Sequence, residues 1–63
     1  MMFKVGDVVQ LKSGGPLMTV CGVQTVPAYN NQPEYQRVWL RWFDVHNKLC
    51  SDELKNSVLE KAE

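Results

Sequence analysis

Three side chains in this sequence carry the functional groups of a nucleophile and its base: Cys21, His46 and Cys50. Nucleophilic catalysis requires a thiol or hydroxyl within hydrogen-bond reach of a base that a third group orients. His46 lies in a predicted turn and Cys50 in the strand that follows, so their side chains need not meet. Since no third residue is placed to orient the imidazole, we predict an exposed turn histidine, no catalytic residue and no enzyme activity.

The same residues are too few for a metal centre, because structural zinc needs a full set of Cys or His ligands in closely spaced pairs. Cys21 has no partner at such a spacing. Gly14-Gly15 lacks the Lys-Ser/Thr that completes a phosphate-binding loop. Asp52 and Glu53 fall on opposite faces of a strand, which is typical of a solvated surface. The sequence therefore predicts no metal, no cofactor and no small-molecule substrate.

The composition describes one small, neutral domain over residues 1–63. Apolar residues make up 44% of the chain, which excludes wholesale disorder. Seven Lys and Arg balance seven Asp and Glu, so the basic field typical of nucleic-acid-binding proteins is absent. No segment approaches the roughly 20 apolar residues of a transmembrane helix, and charges interrupt the start where a signal peptide is apolar. We predict a cytoplasmic protein without membrane contact, whose two cysteines are reduced and buried.

Alternating apolar and polar residues predict a mainly β fold that begins with a hairpin. Residues 3–12 form the first predicted strand, and Ser13-Gly14-Gly15-Pro16 the turn, because glycines supply the positive φ angles of a tight reversal. Residues 17–23 form the second strand, with Met18 and Val20 on one face. This hairpin is expected to supply part of the core.

The middle and the end of the chain are less regular. Residues 27–36, rich in proline and asparagine, predict a long loop, read either as functional or as a tolerated insertion. Residues 44–48 predict a turn. Residues 52–63 fit two structures: an amphipathic helix, or a short strand, a turn and another short strand.

The clearest element is a third strand, predicted from residue 35 to residue 44. Its alternation places Val38, Leu40 and Trp42 toward the core. The opposite face carries two arginines that alternate with two aromatic residues: Arg37, Trp39, Arg41 and Phe43.

Several blocks in order resemble the YodC-like family of small uncharacterised bacterial proteins: Lys4 to Pro16, Met18-Thr19-Val20, and Trp42-Phe43-Asp44. Leu40 departs from the cysteine common in relatives, and residues 27–36 exceed their usual short turn. The resemblance implies a strongly bent SH3-like barrel of about five short strands, a strand-turn-strand C-terminus and no assigned activity or catalytic residue.

We expect a binding module whose partner surface lies on the outer face of the third strand, because Trp, Phe and Arg are enriched at interfaces. The partner is another protein, or a second copy joined through an exposed strand edge. In a competing interpretation, the loop or the C-terminal segment covers Trp39 and Phe43 as a second small core. The alternative function is nucleic-acid binding by base stacking, which the neutral charge disfavours. The predicted partner-binding residues are Arg37, Trp39, Arg41 and Phe43, with Tyr29 and Tyr35 of the loop.

Overall fold

The computed structural model describes residues 2–62 as one antiparallel sheet of five strands in the order β4-β3-β2-β1-β5. A single 3-10 turn, Asn56–Val58, joins the last two strands, and no α-helix occurs in this range. The mainly β prediction is confirmed, and the C-terminus takes the strand-turn-strand alternative. The strands are β1 Val8–Leu11, β2 Met18–Val26, β3 Tyr35–Phe43, β4 Leu49–Lys55 and β5 Leu59–Lys61.

The short link between β4 and β5 requires the sheet to curl. These strands are the two edges of the sheet, yet only three residues separate Lys55 from Leu59. Four strand spacings would place the edges about 19 Å apart in a flat sheet, whereas this link spans at most about 14 Å. Within residues 2–62 no ladder pairs β4 with β5, so the curled sheet is not closed into a barrel.

The core lies on the concave face of this curl. Val9, Val20, Val38 and Leu40 are fully buried, as the alternation in their strands predicts. Trp42 is half-buried against this cluster. The other buried apolar side chains are Phe3, Met18 and Leu59, with Leu11 and Leu54 packed at the margin.

The turn between β1 and β2 forms where the sequence predicts it. Gly14 donates its backbone N–H to the Leu11 carbonyl at 2.9 Å. Gly14 and Gly15 have φ angles of +106° and +110°, and a Cβ at either would meet no atom within 4 Å. Backbone conformation, not space, therefore requires glycine here.

β2 and β3 continue past the core as a projecting hairpin. Asn30 and Asn31 have φ angles of +49° and +67°, as a two-residue type I′ turn requires. Tyr29 and Gln32 exchange backbone hydrogen bonds of 3.0 and 2.8 Å across this turn. The loop predicted over residues 27–36 is longer than the observed connection, which ends at residue 34 because β3 begins at Tyr35.

Both cysteines are free, but the prediction that they are buried is wrong. Cys21 is exposed because it follows the buried Val20 and so projects to the outer side of β2, at a β-bulge between Val20 and Gly22. Its Sγ donates to the Trp39 carbonyl at 3.4 Å. Cys50 is half-buried because it lies on the edge strand β4.

Candidate functional site

The turn after β3 is organised by Asp44 and holds the histidine in solvent. Asp44 Oδ1 accepts the backbone N–H groups of His46 and Lys48 at 2.8 and 2.9 Å. The Cys50 Sγ lies 3.8 Å from the other carboxylate oxygen. His46 is exposed, and the predicted turn over 44–48 is confirmed. Asp44 thus has a structural task.

Two further findings concern metals and membranes. Among residues 2–62, no group of three or more His, Cys, Asp or Glu side chains is arranged to hold a metal ion. Within the same range, no helix combines the length and the hydrophobicity that crossing a bilayer needs.

The register between β3 and β4 builds a continuous outer face. Residues directly opposite each other in an antiparallel pair project to the same side of the sheet. The four outward-facing pairs are Arg37 with Lys55, Trp39 with Glu53, Arg41 with Ser51, and Phe43 with Leu49. These eight residues are called the outer face below. β2 adds Gly22 opposite Trp39 and Thr19 opposite Arg41.

Trp39 packs against its neighbour in β2. A Cβ built at Gly22 would be 3.6 Å from the Cε3 carbon and 3.7 Å from the Cβ carbon of Trp39, so the glycine leaves room for the start of this side chain. This contact leaves Trp39 half-buried. Trp39 borders a depression whose other lining residues include Arg41, Asp52 and Glu53.

The outer face becomes apolar at the end near the Asp44 turn. Phe43 is 63% exposed and Leu49, directly opposite, is 58% exposed. Phe43 also borders a recess lined by Pro16, Trp42 and Val45. The interpretation in which the C-terminal segment or the loop covers both aromatics is therefore wrong for Phe43.

The two arginines of the outer face differ in their surroundings. Arg37 Nε lies 3.2 Å from Glu53 Oε2 in an ion pair that is about half-exposed. Arg41 stands between Thr19 and Ser51, and forms no ion pair within residues 2–62. Lys55 Nζ lies 4.7 Å from the centre of the Tyr35 ring, a cation–π contact.

Five of the six predicted partner-binding residues lie on one side of β3. Tyr35 joins the four outward-facing residues of that strand, but Lys55 covers its ring. Tyr29 lies apart from them, 74% exposed at the tip of the projecting hairpin. The structure thus brings together Arg37, Trp39, Arg41 and Phe43, with Tyr35 at the margin.

Sequence reasoning missed the four residues that β4 adds to the outer face: Leu49, Ser51, Glu53 and Lys55. Leu49 could have been found, because a turn over residues 44–48 places residue 49 directly opposite Phe43. Glu53 was interpreted as solvated surface, and its ion pair with Arg37 becomes visible only with the β3–β4 register.

A family model described as an uncharacterized small protein, DUF2158, matches residues 4–59. The matched range contains the whole outer face and most of the core. No curated protein and no solved structure matches the chain.

Proposed function

Because the chain belongs to the uncharacterized small proteins of DUF2158, we propose its function from its own surface: a non-enzymatic module that binds another protein through the outer face. The observation that carries the proposal is the exposed apolar pair of Phe43 and Leu49 next to Arg41 on the outer face. Large apolar side chains next to arginine are enriched where proteins bind each other.

Charge favours a protein over a nucleic acid as the partner. Nucleic-acid affinity depends on several cations that neutralise phosphates. On the outer face Glu53 neutralises Arg37, the Lys55 ammonium lies against the Tyr35 ring, and the chain as a whole carries no net charge. Among residues 2–62, Arg41 is left as the one cation of this face without such a contact, which is few for a strand of nucleic acid.

We also propose that the fold is a half-open SH3-like barrel of the YodC-like type. We further propose that the protein acts in the bacterial cytoplasm. The strand order β4-β3-β2-β1-β5 and the curl imposed by the Asn56–Val58 turn support this fold. An experimental structure and fractionation of the native cell test the two parts separately.

The experiment compares partner capture by two matched variants. Phe43→Ser removes an exposed aromatic of the outer face, whereas Val23→Ser removes a side chain 37% exposed on the opposite side of the sheet. Both variants and the natural chain are immobilised, exposed to native-cell extract, and compared by quantitative mass spectrometry. A retained protein is then purified and titrated by calorimetry against all three chains.

We expect one protein to bind the natural chain and Val23→Ser equally, and Phe43→Ser at least about tenfold more weakly, as loss of an interface hot spot predicts. Thermal unfolding by circular dichroism confirms that both variants fold. Equal binding of the partner to Phe43→Ser and to the natural chain would refute the proposed surface.

A further inference from the structure

We propose that the partner segment is acidic and carries an aliphatic or aromatic anchor. The anchor packs on Phe43 and Leu49, and a carboxylate of the same segment binds Arg41. This inference rests on the proposed function, since it names the chemistry of the partner for the same outer face.

The charge of the outer face is complementary to a partner that carries a carboxylate. Its cations are Arg37, Arg41 and Lys55, and its only acid is Glu53. The face is therefore positive although the chain as a whole is neutral. A partner that supplies negative charge restores the balance and is attracted over a distance.

Arg41, and not Arg37, is the group that receives this carboxylate. The Arg37 guanidinium already has Glu53 at 3.2 Å. The direct neighbours of Arg41 on both sides are the short hydroxyl residues Thr19 and Ser51, which leave its guanidinium accessible. A guanidinium binds a carboxylate through two parallel hydrogen bonds, which fixes orientation as well as charge.

The spacing of the two contacts restricts the partner. Arg41 and Phe43 are two residues apart on β3, which corresponds to about 7 Å along a strand. An extended partner meets both when its anchor and its carboxylate are two residues apart. A helical partner meets both when they are one turn apart, since such side chains are about 5–6 Å from each other.

A second copy of the chain fits this chemistry less well. In a second copy, the apolar anchor next to an acid would be Val45, which is 96% exposed and adjoins Asp44. One oxygen of the Asp44 carboxylate, Oδ1, already accepts the N–H groups of His46 and Lys48. Arg41 of another copy would therefore compete with this turn for the two-oxygen contact that a guanidinium makes with a carboxylate.

The test uses synthetic peptides and ¹⁵N-labelled full-length protein. The probe is a capped peptide repeating Ser-Leu-Ser-Glu, which puts leucine and glutamate two residues apart. One control peptide has Lys in place of Glu, a second has Ser in place of Leu, and a deoxythymidine decamer represents nucleic acid. Binding is followed through the indole N–H signals and the backbone amides of the outer face.

We expect the glutamate peptide to bind roughly tenfold more tightly than either control peptide, as a charge-assisted contact predicts. Arg41→Gln should reduce this affinity roughly tenfold, while the matched Arg37→Gln should change it less than about twofold. The amide shifts should map to Arg41, Phe43 and Leu49.

Several results would overturn the inference. The first is that the lysine peptide binds as tightly as the glutamate peptide, and the second is that Arg41→Gln and Arg37→Gln lower the affinity for the glutamate peptide equally. The third is that the decamer binds more tightly than the glutamate peptide, and the fourth is that no peptide binds at millimolar concentration. If the protein without peptide has the mass of a dimer, and Arg41→Gln does not, the outer face binds a second copy of the chain.

If binding of the protein captured from the extract still depends on Phe43, the proposed function survives each peptide result. If that dependence fails, the proposed function itself is refuted.

Discussion

Gln36 is the one buried polar side chain among residues 2–62, and both ends of its amide are used. Oε1 accepts the Phe3 backbone N–H and Nε2 donates to the Phe3 carbonyl, each at 2.8 Å. The Gln36 backbone N–H donates to Asn56 Oδ1 at 3.0 Å, where the β3–β4 ladder would otherwise continue. One residue thus ties the N-terminal segment, β3 and the 3-10 turn together.

Replacing Gln36 with Leu should destabilise the protein by about 1–3 kcal/mol, because it leaves the buried Phe3 N–H and carbonyl without partners. Urea unfolding followed by tryptophan fluorescence measures the change. The control is Gln24→Leu, since Gln24 is exposed on β2. Equal midpoints for the two variants would contradict this role of the Gln36 amide.

At the scale of the strand, β4 is the long free edge of the sheet. The Glu53 N–H donates to the Asp52 side chain at 2.7 Å, so it points away from β3 toward the free edge. Asp52 is opposite Leu40, which places a charge on the side of the sheet that faces the core. Charges in this position are a known protection of edge strands against pairing with another chain.

Asp52 also disfavours a dimer formed by two antiparallel β4 strands. In the register centred on this residue, the two copies of Asp52 are directly opposite each other, and like charges in that position repel. Self-association through the β4 edge is therefore disfavoured by this repulsion.

Asp52→Ala should increase self-association, because it frees the Glu53 N–H and removes the repulsion. Sedimentation velocity from micromolar to millimolar concentration should show a higher average mass than for the natural chain. Asp52→Asn is the control, because it keeps the side-chain acceptor and removes only the charge. If Asp52→Ala sediments as the natural chain does at every concentration, β4 needs no such protection.

At the scale of the whole molecule, the core is small and depends on its shortest strand. β5 contributes Leu59, which is 2% exposed. β5 is held by pairing with β1 and by two flanking hydrogen bonds of 3.0 Å, Lys12 N–H to the Val58 carbonyl and Ala62 N–H to the Val8 carbonyl. A chain of this size has about 3–9 kcal/mol of stability in total.

Leu59→Ala should cost about 2–5 kcal/mol, because it leaves a cavity in a core that has few side chains to collapse into it. We expect a large fall in the thermal midpoint, followed by circular dichroism. Val58→Ala, at a neighbouring position 42% exposed, is the matched control and should change the midpoint little. Similar midpoints for the two variants would show that β5 is dispensable for the fold.

Sequence reasoning was most accurate where a pattern acts within one segment. The alternation in β3 predicted the burial of Val38 and Leu40, and it placed Phe43 on the opposite face. The same alternation puts residue 36 on the side of Val38, but Gln36 was not identified as buried, because glutamine in a proline-rich segment resembles a loop residue. The two cysteines were assigned to the core on a compositional average, whereas Cys21 projects to the outer side of β2 and Cys50 lies on an edge strand.

The sequence by itself determined the β class, the two turns around Gly14 and Asp44, and which side of β3 packs inward. These features follow from backbone preferences and side-chain periodicity, which act between near neighbours. The tertiary structure alone decided that Phe43 meets Leu49, and that within residues 2–62 Arg37 pairs with a carboxylate whereas Arg41 does not. These pairings depend on the register between separate strands and on the curl of the sheet, which no single segment encodes.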